Sequence, residues 1–402
     1  MTEDSIKEEQ FLKQWEDISR GVAEIVPEEE LKNKIKKSIE KRSPLRVKLG
    51  VDPSSPDLHV GHTVVLEKLR HFQKHGHQVI FVIGDFTAQI GDPTGRSETR
   101  KNLSKEEVLQ NAHTYSSQVL KILNPNKTQV VFNSQWNDKL KIQEVIRLAS
   151  QMTVARMLER DDFSKRYKAQ QSICLHEFMY PILQAYDSVQ LRSDVELGGT
   201  DQKFNVLLGR EYQRAAGQEP QCVLLTPILE GTDGVQKMSK SLNNYIGITE
   251  SAKDIFGKIM SISDDLMHRY YEVLTDVDLA NVKAEHPREA KVKLAQLLVE
   301  RYYDTRAADK ARSEFESMFS KGENPEDMPE FHLNVGNEIE LIRVLTESSL
   351  LPSLSEARRL IKQNAISVNG EKVNDTNFKI SKGSDEIVVK AGKRKFLRIV
   401  SK

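Results

Sequence analysis

The distribution of apolar positions changes character along the chain. Over the first 40 residues, acidic and basic side chains are punctuated by isolated apolar ones, a helical pattern. Arg46–Val51 (RVKLGV) then reads as a short strand, and Asp52 to Asp57, with two prolines, as a turn. From His59 to His75 the residues Val60, Val64, Val65, Leu69 and Phe72 lie on one face of a helix, and Gly76 supplies the stop signal. Gln78 to Gly84 (QVIFVIG) is an unbroken apolar run, as in a strand buried on both faces. Strand, helix and strand within about 40 residues form the βαβ unit of a parallel sheet.

The alternation continues downstream. Ser104-Lys-Glu-Glu107 is a capping-box signature that opens a helix to about Leu123. Thr128 to Phe132 follows as a strand and Leu140 to Ser150 as a helix. Asp194 to Leu197 is a short strand before Gly198-Gly199, Gln202 to Ala216 is helical, and Cys222 to Thr226 is a strand. This order predicts a doubly wound, Rossmann-like α/β domain with a parallel sheet over residues 1–227. From Ala252 to about Lys321 the strand signals vanish and charged amphipathic helices remain, such as Arg288 to Tyr303. A helical domain over 228–325 is therefore expected, then a linker over 326–337. Residues 338–402 read as a small α+β domain. There, helical LIRVLTESSLL and SLSEARRLIKQ precede the turn-rich strands ISVNGEKV, DEIVVK and KRKFLRIV.

Whole-chain charge adds nothing, because 59 basic residues balance 59 acidic ones. Its distribution does add something. From Arg358 to Lys402 there are 12 basic and 4 acidic residues, a net of +8. Such asymmetry points to an appended module that meets a polyanion. Two cysteines, Cys174 and Cys222, exclude a disulfide framework or a cysteine-rich zinc site and fit a reducing compartment. The N-terminus has no apolar core of signal-peptide length, and no stretch of about 18 apolar residues occurs. A cytoplasmic protein without a membrane span is expected.

In a parallel α/β sheet, ligands bind at the carboxyl ends of the strands, where helix N-termini offer unpaired N–H groups. His59-Val-Gly-His62 stands where the first parallel strand turns into its helix. Two imidazoles three positions apart are neighbours on a helical turn and can hydrogen-bond phosphate oxygens as charge shifts during transfer. Gly61 lets a nucleotide approach the backbone closely. Lys237-Met-Ser-Lys-Ser241 lies about 180 residues later, after the last strand of the sheet. Two lysines and two hydroxyls on a mobile loop suit clamping a triphosphate in its transition state. Either motif alone also fits a solvated surface segment; in this order they point to ATP-dependent activation of a small carboxylate.

In these motifs the chain resembles the class I aminoacyl-tRNA synthetases, whose signatures are written HIGH and KMSKS. The second matches in full, and the first has valine for isoleucine. Leu49-Gly-Val-Asp-Pro53, Ile90-Gly-Asp-Pro-Thr-Gly95, Tyr180-Pro-Ile-Leu-Gln184-Ala-Tyr-Asp187 and Leu197-Gly-Gly-Thr-Asp-Gln202 extend the resemblance to a bacterial branch of tyrosyl enzymes. It runs from about residue 40 to the end. Spacings of four and three put Tyr180, Gln184 and Asp187 along one helical face. The resemblance implies that Asp187 accepts the substrate phenol proton and that Tyr180 and Gln184 hold the α-amino group. Asp92 and Thr87 match further amino-group and pocket positions, and Gln202 one beside the substrate carboxylate. A buried carboxylate without its phenol partner is costly, so phenylalanine should bind poorly. The tryptophan enzyme, of similar fold, is the nearest competitor; Asp187 and the C-terminal module favour tyrosine. A silent RNA-binding paralogue would be expected to lose the motif histidines or lysines, which are intact here. Two positions depart from better-known members: Lys48 replaces a tyrosine that donates to the substrate hydroxyl, and Glu196 replaces a glutamine.

The resemblance further implies two steps, formation of tyrosyl-adenylate from L-tyrosine and Mg-ATP, then transfer to the terminal adenosine of tRNA(Tyr). ATP would be held by Gly50, Asp52, His59, Gly61, His62, Gly199, Asp201, Lys237 and Lys240, and pyrophosphate by the two lysines with Ser241. Arg96 and Arg100 would assist from the loop after Asp92. Magnesium would arrive with ATP, as no all-protein carboxylate cage is visible, so neither a tightly bound metal nor an organic cofactor is expected. The C-terminal piece resembles a small RNA-binding domain shared with a ribosomal small-subunit protein. Arg358, Arg359, Lys362, Lys393, Arg394 and Lys395 would meet RNA phosphates there. The family also implies a homodimer, with residues of about 130–190 at its interface.

Overall fold

The apolar runs of the sequence become the strands of one sheet in a computed structural model of the chain. It describes residues 2–53, 57–94, 104–320, 328–333, 338–381, 387–392 and 395–401. Strands β1 (Glu24–Val26), β2 (Arg46–Val51), β3 (Gln78–Ile83), β4 (Thr128–Phe132), β5 (Val195–Gly199) and β6 (Cys222–Thr226) lie in the order β1-β6-β5-β2-β3-β4. The last five of that row are parallel, and β1 joins β6 antiparallel at the edge. From β2 the chain winds one way through β3 and β4, and then the other way through β5 and β6. The switch point therefore falls between β2 and β5, the place where sheets of this kind open a crevice beyond the strand ends.

Val79, Ile80, Val82 and Ile83 have no solvent exposure, as a strand covered on both faces requires. Each such burial stabilises the fold by about 1.5–3 kcal/mol. The helix Val60–Lys74 links β2 to β3 and buries Val60, Val64, Leu69 and Phe72. It stops just before Gly76, whose φ of +86° is a left-handed conformation. Ser104 and Glu107 form the expected reciprocal cap, but their helix ends at Val119, short of Leu123. The helix Leu175–Leu191 precedes β5, and Lys203–Ala215 links β5 to β6.

Strand β1 was not expected. Its residues interrupt the charged N-terminal stretch, which forms two helices, Glu3–Ser19 and Glu28–Lys41. Pairing with β6, extended by the Ala23 amide on the Leu225 carbonyl at 2.9 Å, makes these residues a strand. Such pairing is a tertiary event that local pattern does not carry.

The chain divides into two compact units, Met1–Asp309 and Lys310–Lys402. The helices expected as a separate domain after residue 228, such as Pro287–Tyr302, share the first unit with the sheet. Buried contacts explain this: Tyr302 Oη lies 3.2 Å from Thr63 Oγ1, and Arg301 pairs with Glu67 at 2.9 Å.

The second unit has β7 (Glu330–Leu333), β8 (Glu338–Glu340), β9 (Ile366–Val368), β10 (Glu371–Val373), β11 (Lys379–Ser381), β12 (Ile387–Ala391) and β13 (Lys395–Ser401). Five of them form a sheet in the order β10-β9-β12-β13-β7, and β8 pairs with β11. Helices Leu341–Glu347 and Leu354–Lys362 contribute Leu341, Val344, Leu345, Ala357 and Ile361 to its core. Asn369 and Gly370, both at positive φ, make the tight turn between β9 and β10. Strand β7 lies where the sequence reads as linker, because parallel pairing with β13 orders it. Residues 326–327 and 334–337 of that linker lie outside the described residues.

Candidate active site

The two motifs meet across the end of β2. His59 caps the helix Val60–Lys74, and its amide donates to His62 Nδ1 at 3.1 Å, so the His62 proton sits on Nε2. The two rings stack with centroids 3.7 Å apart. Burial, then His62 and Lys240, pushes the His59 imidazole down to about 2. Burial and Lys240 push His62 down to about 4. Both rings are therefore neutral near pH 7.

The N-terminal amides of this helix are not unpaired as expected. The Val60 amide donates to the Ile246 carbonyl at 2.8 Å, and the Gly61 amide to Met238 Sδ at 3.2 Å. The loop that carries Lys237 to Ser241 thus folds directly over the histidine pair. Met238 is buried beneath it, while Lys237 and Ser241 are exposed. Lys240 lies 3.7 Å from Asp57. A Cβ on Gly61 would approach the His59 ring to 3.0 Å, so the glycine is needed for close packing.

Asn244 holds the loop in shape. Its side chain accepts from the Ser239 amide at 2.8 Å and donates to Asp233 at 2.7 Å and to the Lys237 carbonyl at 3.2 Å.

A second group lines the crevice on the β3 and β4 side. Thr87 donates to Asp52 at 2.7 Å and accepts from Asn133 at 3.1 Å. Asn133 also donates to Asp187 at 3.2 Å, and Trp136 Nε1 donates to the other Asp187 oxygen at 2.7 Å. Gly84 makes room for this chain of contacts, since a Cβ there would lie 2.1 Å from Asp52 Oδ1 and 2.4 Å from Thr87 Oγ1. Tyr180 and Asp187 are buried, and Gln184 between them is half-buried. Burial, followed by Asp52 and Asp92, holds the Tyr180 phenol well above its usual range. Burial raises the Asp187 carboxyl to about 6 against the pull of Lys48.

Asp92 and Gln202 belong to a closed ring of hydrogen bonds. Gln202 donates to Asp92 at 2.8 Å, Thr94 Oγ1 to Asp92 at 2.6 Å, and Asn205 to Gln202 at 3.0 Å. Buried Arg160 closes the ring by donating to Thr94 at 3.0 Å and to Asn205 at 2.8 Å. Gly199 precedes exposed Asp201, whose carboxylate would meet a Cβ on Gly199 at 2.6 Å. Above Gly50 the space is open, with nothing within 4 Å of a Cβ built there.

The model of tRNA synthetases class I (W and Y) matches residues 40–320 and leaves tryptophan and tyrosine both open. The model of a tyrosine–tRNA ligase SYY-like C-terminal domain matches residues 320–399. The tyrosine–tRNA ligase of Syntrophotalea carbinolica is 56% identical over 393 residues, 95% of this chain and 96% of that one. That of Carboxydothermus hydrogenoformans is 55% identical over 405 residues, 98% of each. The chain belongs to the class I tyrosyl-tRNA synthetases. Solved tyrosyl-tRNA synthetases share its fold. A C-terminally truncated mitochondrial one from Coccidioides posadasii superposes with a TM-score of 0.62 at 23% identity, covering 77% of this chain and 96% of that one. The Archaeoglobus fulgidus protein, complexed with L-tyrosine, gives 0.60 at 24% identity, covering 75% and 99%.

Some residues of this tyrosyl-tRNA synthetase site escaped sequence reasoning. Asn133, Trp136, Arg160 and Asn244 act through contacts 11 to 66 residues away in sequence. A polar residue directly after a buried strand, as Asn133 is after β4, was the one available signal. Arg96 and Arg100 lie outside the described residues, as do Lys393 and Arg394. Arg358, Arg359 and Lys362 are exposed on one helix of the second unit. Lys48 does not face solvent; it is fully buried against Glu196.

Proposed function

We infer that this chain is a tyrosine–tRNA ligase. It activates L-tyrosine with ATP to tyrosyl-adenylate and pyrophosphate, then transfers the tyrosyl group to the terminal adenosine of tRNA(Tyr). The observation that carries this reading is the Asp187 carboxylate, buried in the same crevice as the paired motifs and held by two N–H donors.

In the first step an ionised tyrosine carboxylate oxygen attacks the α-phosphorus and the bond to the bridging oxygen of pyrophosphate breaks. The nucleophile needs no base, so catalysis rests on positioning and on stabilising charge. His59 and His62 donate to phosphate oxygens. Lys237, Lys240 and Ser241 hold the pyrophosphate as it leaves, and Gly50, Asp52, Gly61, Gly199 and Asp201 shape the rest of the ATP site. Asp187 accepts the substrate phenol. Tyr180, Gln184, Asp92 and Thr87 receive its amino end, and Gln202 lies beside its carboxylate. Gln184 Oε1 is buried with no hydrogen-bond partner among the described residues, a cost that a polar ligand relieves. Magnesium enters with ATP as the substrate complex.

The module at 338–402 meets tRNA(Tyr) through exposed Arg358, Arg359 and Lys362, with Arg96 and Arg100 assisting at the phosphates. The helices after residue 252 form the anticodon side. The enzyme works in the cytoplasm as a homodimer. In support of the dimer, Ile142, Ile146, Val154 and Leu175 are 61–83% exposed within the segment 130–190. Among the described residues no helix is long and apolar enough to cross a membrane.

Tyrosine-dependent exchange of pyrophosphate into ATP tests the assignment. Exchange with tryptophan and none with tyrosine would overturn it.

A further inference from the structure

Lys48 and Glu196 are register partners on β2 and β5, the two strands that flank the switch point. Their side chains are 0% and 1% exposed, and their charges meet at 2.9 Å. Lys48 Nζ also donates to Ser188 Oγ at 2.7 Å and to the Gln184 carbonyl at 3.4 Å. Those two residues bracket Asp187 on the helix Leu175–Leu191. Glu196 Oε2 accepts from Ser188 Oγ at 2.9 Å and from Gln221 Nε2, while Oε1 faces Lys48. Gly209 leaves room for this cluster, since a Cβ there would lie 2.5 Å from Gln221 Nε2 and 2.8 Å from Ser188 Oγ. Packing alone does not call for such a pair. Burying two charges is expensive, and well-packed neutral side chains join strands as firmly.

Asp187 supplies the reason. Its carboxylate accepts a phenol most strongly when ionised, yet it is buried. Its direct donors, Trp136 and Asn133, are neutral. The charges that act on it are Lys48 from β2 and Glu196 from β5. Tyr180 on its own helix stays protonated. Charged groups on the other neighbouring elements are engaged elsewhere. Asp85 after β3 accepts from Ser134; Glu144 and Arg147 act on Tyr186; Arg210 is held by Glu30 and the Gln221 carbonyl. Lys48 favours the ionised form of Asp187, and Glu196 opposes it.

We propose that Lys48 and Glu196 form one charged unit that acts on Asp187 and so selects a phenol-bearing amino acid. Both are positioning residues, and the proposal rests on tyrosine being the substrate. An ionised carboxylate exists above its pKa, so kcat/KM for tyrosine falls as pH falls through the Asp187 value.

The test is kcat/KM for tyrosine in pyrophosphate exchange from pH 5 to 9, for the full chain and for K48M, E196Q and the double variant. The acid-side inflection is expected to rise by about one pH unit or more in K48M and to fall in E196Q. It should return towards the wild-type value in the double variant. K48M should also lose tyrosine-over-phenylalanine selection at pH 7 and regain it at higher pH. E196Q keeps an acceptor for Lys48, so it decides the matter if K48M does not fold. A lowered inflection in E196Q supports the proposal, and an unmoved or raised one overturns it. Loss of rate at every pH with fixed inflections would make the pair purely structural. If the wild-type chain gave no tyrosine-dependent exchange, the substrate assignment itself would fall.

Discussion

At the scale of single residues, environment decides what each side chain can do. In sequence, His59 and His62 are two imidazoles on one helical turn, with no sign of their charge. Burial beside Lys240 holds them at about 2 and about 4, so both are neutral near pH 7, and the proposed contact with phosphate is one of neutral donors. A lowered histidine pKa means that the charged form appears only below that value. The rate should therefore show no inflection near pH 6.5 that vanishes in His62→Asn, and such an inflection would contradict the neutral role. His62→Ala should lower kcat for exchange by about 100-fold or more, as expected when a transition-state donor is removed. Asp187→Ala should reduce the preference for tyrosine over phenylalanine by about 10- to 100-fold, the worth of a hydrogen bond to a charged acceptor. Equal discrimination in the variant would remove Asp187 from its role. The types at positions 59, 62 and 187 are legible from their motifs. Their protonation is not, because it depends on burial and on charges distant in sequence.

At the scale of elements, the loop from Glu230 to Gly247 behaves as a small folded unit. Asn244 ties Ser239, Asp233 and Lys237 together, and Met238 plugs the loop onto Gly61. Losing these buried bonds costs about 1–3 kcal/mol. Asn244→Ala should therefore lower kcat/KM for ATP about tenfold or more in exchange assays while changing the KM for tyrosine little. A matching loss on the tyrosine side would show that the damage spreads beyond the loop. The sequence marks this loop by its lysines and serines, the groups proposed to hold the phosphates. Asn244, which fixes the fold of the loop, reads as one more polar loop residue. Strands β3 and β6 were legible because residues covered on both faces leave apolar runs, and β2, β4 and β5 because short β-prone stretches alternate with helical ones. Strands β1 and β7 were not, because their partners, β6 and β13, lie far away in sequence.

At the scale of the whole molecule, the chain divides into two units, to which the proposal gives activation and RNA binding. Deleting residues 338–402 should leave tyrosine-dependent exchange intact and lower tRNA(Tyr) charging by at least about tenfold; normal charging would sink the RNA-arm role. Ile142 and Ile146 stand one turn apart on an exposed face of the helix Ile142–Ala149. Ile146→Asp should weaken self-association, read as a shift towards monomer in analytical ultracentrifugation, and an unchanged distribution would place the interface elsewhere. The sequence by itself determined strands β2 to β6 and the helices between them, the two motifs at His59–His62 and Lys237–Ser241, the family they mark, and the basic C-terminal module. All of these are local patterns or short motifs of fixed spacing. Only the tertiary structure decided that the helices from Ala252 to Tyr302 join the first unit, that Arg160 closes a ring around Asp92 and Gln202, and that Lys48 turns inward. A lysine is ordinarily solvated, and nothing around position 48 in the sequence says otherwise. Its charge is buried because β5 brings Glu196 into register beside it, a pairing that exists only once the sheet has formed.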